Sequence, residues 1–186
     1  MILRSLSAPD AEKFYTLMCT AAGRELPREA FAQALAQALE QTGRRIVLAF
    51  EGPEAVGFAD TEVRFPFSEC APVGVIHEFY VREDARGRNV GSAMLVSLTT
   101  QFKAAGCVSV QASCARVNLK SQEFLEKRGF VKTRHAFSRL LHRQELNLPT
   151  AHDVRLQLFQ KRHGPHNLGP LRLFTARSIF LNPAEY

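Results

Sequence analysis

At 186 residues, with 46% hydrophobic and 23% charged side chains, the chain has the length and composition of one ordinary globular domain with enough apolar material for a core. No apolar run approaches the length of a membrane span, and the start MILRSLSAPDAEKF lacks a signal-peptide core, so the expectation is a cytoplasmic protein rather than a membrane or secreted one. The net charge of +6 is uneven: residues 134–186 hold eight Lys and Arg against three Asp and Glu, with five of the six histidines, yet no aromatic-rich or helix-turn-helix pattern accompanies them, which argues against nucleic acid as a partner.

In chain order, ILRSL predicts a first strand, and Ser7-Ala8-Pro9-Asp10 has the Ser-x-x-acid spacing of a helix start. Phe14, Leu17, Met18 and Ala21 then share a helical face until Gly23. A second helix follows, with Pro27 at a first-turn position, Phe31, Leu35 and Leu39 every four residues, and Gly43 as its stop. Arg45 to Phe50 and Ala55 to Val63 predict two strands joined by a tight turn at Glu51-Gly52-Pro53-Glu54. Residues 65–72 read as an irregular linker, because Pro66 and Pro72 exclude a central strand. A strand resumes over Val73 to Val81, a helix runs from Val90 to Gly106, and Val108 to Ala112 is the next strand. Asn118 to Arg128 predicts another helix closed by Gly129, and Phe130 to Leu141 the last core strand or pair of strands. The domain is therefore expected over residues 1–141. Residues 142–186 form a basic extension whose weak alternation fits either an extra hairpin packing on another subunit of a homodimer or a loosely ordered tail. Cys19, Cys70, Cys107 and Cys114 include no C-x-x-C pair and are expected to be reduced. His152, His163 and His166 lack a second tight ligand cluster, so no metal site is expected.

The chemistry concentrates where the Val73 to Val81 strand runs through Arg86-Gly87-Arg88-Asn89-Val90-Gly91-Ser92 into a helix. Backbone N–H groups at a helix's first turn have no internal partners and carry the positive end of its dipole, so a glycine-bearing loop lets a phosphate approach them. The bare implication is a diphosphate-bearing cofactor.

That loop, read with its neighbours, resembles the GNAT superfamily of acyl-CoA N-acyltransferases. Arg88, Gly91 and Ala93 match the family's Gln/Arg-x-x-Gly-x-Gly/Ala signature, Val56-Gly57 lies in the hairpin, and Phe124 to Phe130 is similar to the family's aromatic ending. Within the family, the segments around Glu78, Gly87 and Gly129 look most like aminoalkylphosphonate N-acetyltransferases, with parts shared by other small-amine and aminoglycoside enzymes. The resemblance implies an α/β (α+β) fold with a mixed central sheet, a splayed strand pair and flanking helices. It implies acetyl-CoA as co-substrate, its pantetheine arm paired by the backbone of Phe79, Tyr80 and Val81. Its pyrophosphate would be cradled by Arg86, Gly87, Arg88, Asn89, Val90, Gly91 and Ser92. Asn118 would reach the thiol region, or would simply cap the helix that follows it. A Cβ at Gly87 or Gly91 would tend to hold the phosphates away.

The implied reaction is acetyl transfer to a primary amine of a small molecule by direct attack in a ternary complex. It needs a neutral amine, a donor for the developing oxyanion and a proton for the leaving thiolate. Glu78 interrupts an apolar strand near the expected splay point and is the candidate base. His77 is adjacent, but neighbouring strand residues face opposite ways, so both serve one site only if a bulge intervenes. The position four residues before Gly129, commonly tyrosine in the family, is Leu125, which has no proton to give. Water, Tyr80 or Cys114 is then the alternative donor. The same departure keeps open a non-catalytic acyl-CoA-binding or regulatory module, and protein N-acetylation is a third reading. The acceptor is expected near Gly23 to Pro27 and Arg64 to Pro72. There Arg24 with Arg64 would suit an acidic amine, and Glu25 with Glu69 a polyamine or aminoglycoside.

Overall fold

The computed structural model describes residues 1–133. The chain divides into two compact units, Met1–Cys114 and a second beginning at Ala115. In the first, β1 (Ile2–Ser5) leads into α1 (Ala11–Ala22) and α2 (Arg28–Glu40), followed by β2 (Arg44–Glu51), β3 (Glu54–Arg64), β4 (Val73–Val81), α3 (Val90–Ala104) and β5 (Ser109–Ala112). The sheet order is β1-β2-β3-β4-β5. Each of the first four strands is antiparallel to its neighbour, and β5 runs parallel to β4. A parallel partner requires a crossover, and α3 supplies it. The second unit contributes α4 (Leu119–Glu126).

The helices end where glycines permit. Gly23, Gly106 and Gly129 all have positive φ, and each sits in a paired-bond C-terminal turn. At Gly129, for instance, Phe130 N–H reaches the Leu125 carbonyl at 3.1 Å and Gly129 N–H reaches Glu126 at 3.0 Å. The starts hold two departures from expectation. Pro27 stands one residue ahead of α2, its carbonyl accepting from Phe31 N–H at 2.9 Å. The Ser7 hydroxyl caps no backbone group. It donates to the Asp10 carboxylate at 2.5 Å, which Arg4 also grips, a charge-assisted bond stronger than a neutral one. The Ser7 bond first, and Arg4 after it, hold Asp10 below the usual carboxylate range.

One sheet face packs on α1 and α2. Ile46, Leu48 and Phe58 cluster there with Phe14 and Leu17, backed by Phe31, Leu35 and Tyr80, and the Phe14 and Phe58 rings meet edge-on with centroids 5.3 Å apart. The other face takes α3, whose Met94, Leu98 and Phe102 are buried. Gly74 is what admits this helix: a Cβ there would lie 2.5 Å from the Phe102 ring. Gly74→Ala is therefore expected to destabilise the fold by about 1–3 kcal/mol through overpacking, read as a lower denaturant midpoint at unchanged slope.

The expected last strand over 130–141 falls largely outside the described residues, and 130–133 carry no strand. The boundary at 141, the basic extension with its homodimer contact, and His152, His163 and His166 also lie outside them. Among the described residues no helix is long and apolar enough to cross a membrane.

Candidate active site

Two irregularities in the sheet coincide on β4. The β4–β5 ladder runs from Val73↔Ser109 only to Ile76↔Ala112, whereas the β3–β4 ladder continues to Gly57↔Val81. Beyond Ile76, β4 thus keeps β3 on one edge and has no β5 pairing on the other. At the same point the β3 register slips: Thr61 faces Ile76 and Asp60 faces Glu78, leaving His77 as the extra residue of a bulge. A bulge bends its strand and increases the local twist, so the slip re-aims His77 and Glu78 at the point where the β5 pairing ends.

The bulge gathers a polar cluster on the α1/α2 face. Directly opposed residues of an antiparallel ladder share a face, which places Glu78 beside Asp60. Arg44, at the start of β2, donates from Nε and an Nη to the two Asp60 oxygens at 2.9 and 2.6 Å. Its other Nη reaches Gln41 Oε1 at 3.0 Å. His77 Nε2 lies 2.7 Å from Glu62 Oε2, and Glu62 and Asp60, two apart on β3, point the same way. The condition under which His77 and Glu78 could share a site is met in the backbone. Among the described residues Glu78 has no hydrogen-bond or ion-pair partner. The residue is exposed to solvent, yet desolvation of its carboxyl by the surrounding protein is the largest influence on its protonation. Together with the Asp60 charge this raises its pKa above the ordinary carboxylate value, against the opposing pull of Arg44 and His77.

Tyr80, two residues on from Glu78, packs its ring against Phe58 at 5.8 Å and under the Arg86 guanidinium at 5.7 Å. Phe79 projects to the opposite face of β4, and Val81 is buried. Arg86 Nε donates to the Val81 carbonyl at 2.9 Å and Arg88 pairs with Glu51 at 2.9 Å. The two arginines of the loop therefore have partners within the chain, and their guanidinium groups pin the loop to β4 and β2. Gly87 and Asn89 both adopt left-handed backbone, φ +78° and +64°, with open space where a Gly87 Cβ would project. Asn89 precedes α3 directly, and helical bonding begins with Ala93 N–H to the Asn89 carbonyl at 3.0 Å. The N–H groups of Val90 and Gly91 thus precede the helical ladder, with Ser92 in the same turn. In the second unit, Asn118 caps α4, its Oδ1 accepting from Ser121 N–H at 3.1 Å, and Leu125 lends its carbonyl to the turn that ends α4.

The α1–α2 turn at 23–27 is built rather than loose. Tyr15 donates its hydroxyl to the Leu26 carbonyl at 2.7 Å, Leu26 N–H reaches Cys19 Sγ at 3.4 Å, and Arg28 stacks 4.3 Å from the Tyr15 ring centroid. Burial first, then Cys19, pushes the Tyr15 pKa up to about 12, so the pinning proton stays in place. In the β3–β4 linker, Phe65 and Phe67 are 74% and 98% exposed.

Comparison with known proteins agrees with this architecture. The family profile described as Acetyltransferase (GNAT) family matches residues 11–130. An aminoalkylphosphonate N-acetyltransferase of Salmonella typhimurium is 24% identical over 75% of this chain and 90% of its own length. An aminoglycoside N(6')-acetyltransferase type 1 of Stenotrophomonas maltophilia is 33% identical over 49% of this chain and 59% of its own. Among solved structures, an aminoglycoside N-acetyltransferase in complex with CoA superposes with a TM-score of 0.67 at 21% identity, covering 76% of this chain and 95% of that one. With this mixed sheet and its shortened β4–β5 ladder, the chain belongs to the GNAT family of acetyltransferases and is an N-acetyltransferase.

Proposed function

We propose that the chain transfers the acetyl group of acetyl-CoA to a primary amine of a small molecule, with Glu78 as the general base. The observation that carries this reading is a carboxylate beside a bulge, without a hydrogen-bond or ion-pair partner among the described residues and with its pKa raised, at the point where β4 loses its β5 partner. The stretch of β4 past the last β5 pair suits main-chain pairing of Phe79, Tyr80 and Val81 with the pantetheine arm. The turn from Arg86 to Ser92 suits the pyrophosphate, since left-handed Gly87 and Asn89 turn the chain into the helix start where the first-turn N–H groups gather. Arg86 and Arg88 serve by shaping that turn.

The incoming ammonium passes a proton to the Glu78 carboxylate, directly or through one water, and its freed lone pair attacks the thioester carbon. A C–N bond forms, the C–S bond breaks, and a backbone N–H of Phe79 or Tyr80 faces the charge developing on the carbonyl oxygen. With Leu125 unable to donate, the thiolate leaves as such and takes its proton from water, which a thiol pKa of about 8.5 allows near neutral pH. The built turn at 23–27 and the linker at 65–72 are the segments proposed to meet the acceptor, in a protein working in the cytoplasm on its own domain of residues 1–141.

Thiol release from acetyl-CoA tests this, with an aminoethylphosphonate, a linear polyamine and an aminoglycoside as acceptors. Amine-dependent release with at least one of them is the expected result. Saturable CoA binding with no release from any would favour the non-catalytic module.

A further inference from the structure

We infer that Arg44 and Asp60 are a positioning pair for Glu78: anchored by two guanidinium bonds directly across the ladder, Asp60 holds the bulged segment of β4 and the electrostatic setting of its carboxylate. The inference rests on the reading of Glu78 as base. It begins from an arrangement that the fold alone does not require. Asp60 is 5% exposed in the middle of a strand, a position at which an apolar residue would serve the core equally well. A buried carboxylate is tolerated only when paired and hydrogen-bonded. Arg44 meets that need with both ends of its fork and is itself held by Gln41 at the end of α2. Three elements therefore converge on the residue that faces the bulge.

The arrangement has opposite effects built into its two members. Asp60 places a like charge next to Glu78 and favours its protonated form; Arg44 places the opposite charge there and favours the ionised form. Among the described residues the other titratable group acting on Glu78 is His77 on β4, which Glu62 of β3 engages. Removing Asp60 while Arg44 stays should make Glu78 a weaker base that ionises at lower pH. Removing Arg44 should make it protonate at higher pH. A pair that merely held the sheet together would weaken activity at every pH alike in both variants.

The test is a titration of the Glu78 carboxyl carbon by NMR in the full chain, selectively labelled at glutamate and assigned with Glu78→Gln. It needs neither CoA nor an acceptor. Asp60→Asn is expected to move the midpoint down, Arg44→Gln to move it up, and Arg44→Lys, which keeps the charge, to stay nearer the parent. If Asp60→Asn does not fold, the contrast between Arg44→Gln and Arg44→Lys decides alone. Midpoints that do not move, or that move the same way in Asp60→Asn and Arg44→Gln, overturn the inference. A parallel rate profile, using whichever acceptor of the panel turns over, separates it from the base assignment. The acid limb of kcat/KM should move to lower pH in Asp60→Asn and to higher pH in Arg44→Gln. Midpoints that move as expected under an unmoved rate profile support the positioning pair and remove Glu78 from the role of base.

Discussion

Glu78→Gln is expected to lower kcat/KM for the amine by about 10²- to 10³-fold, the range of a lost general base, while acetyl-CoA affinity stays within about twofold of the parent as binding rests on other groups. The substitution keeps the size of the side chain and removes its ability to take a proton. Because the Glu78 pKa is raised by desolvation and by Asp60, the parent's kcat/KM should fall as pH drops through that raised value, since protonation removes the base. That limb should be absent from the residual activity of Glu78→Gln, and a steady-state pH profile of both proteins shows it. A Gln variant that retains full activity at alkaline pH would mean that the amine loses its proton to bulk water before binding.

The second large effect lies at the other end of the cofactor. Gly87→Val is expected to weaken acetyl-CoA binding by about tenfold or more, because positive φ is costly for a β-branched residue and the turn must open to relieve it. No atom lies within 4 Å of the position a Gly87 Cβ would occupy, so the loss comes from backbone geometry and from bulk presented to the ligand, not from a clash within the fold. Calorimetric titration with CoA, alongside a thermal melt, separates the two consequences. The melt should change far less than the affinity. Asn89 offers a control, since Asn tolerates the left-handed region and Asn89→Gly should preserve binding.

The order of elements was legible because each carries local punctuation. Gly23, Gly106 and Gly129 end their helices by the same backbone device, and Gly87 with Asn89 turns the chain into α3. The glycine-bearing loop and its place after β4 follow from such local signals. What could not be read was register. One extra residue on β4 leaves no trace in composition, yet it puts His77 and Glu78 on terms that plain alternation forbids. Arg44 and Asp60 are sixteen residues apart, and only the pairing of β2 with β3 makes them partners. The Ser7 spacing did mark a helix start, with Ser7 just ahead of the turn Ala8–Asp10, but that its hydroxyl would donate to Asp10 and accept from Arg4 instead of capping a backbone N–H depends on where Arg4 reaches. Tyr15 carried no signal beyond its helical position, and its role in pinning Leu26 depends on where the next turn folds back. The departure at Leu125 was visible in the sequence, and α4 leaves that side chain with no proton to donate.

Direct transfer is most directly tested by mass spectrometry that counts acetylated amine against free CoA thiol, with the intact mass of the chain followed in the same reaction. The expected result is one acetylated amine for each thiol released, with no acetyl group retained on the protein when the amine is left out. Thiol release that proceeds without amine, or an acetylated chain that forms before the product, would contradict it.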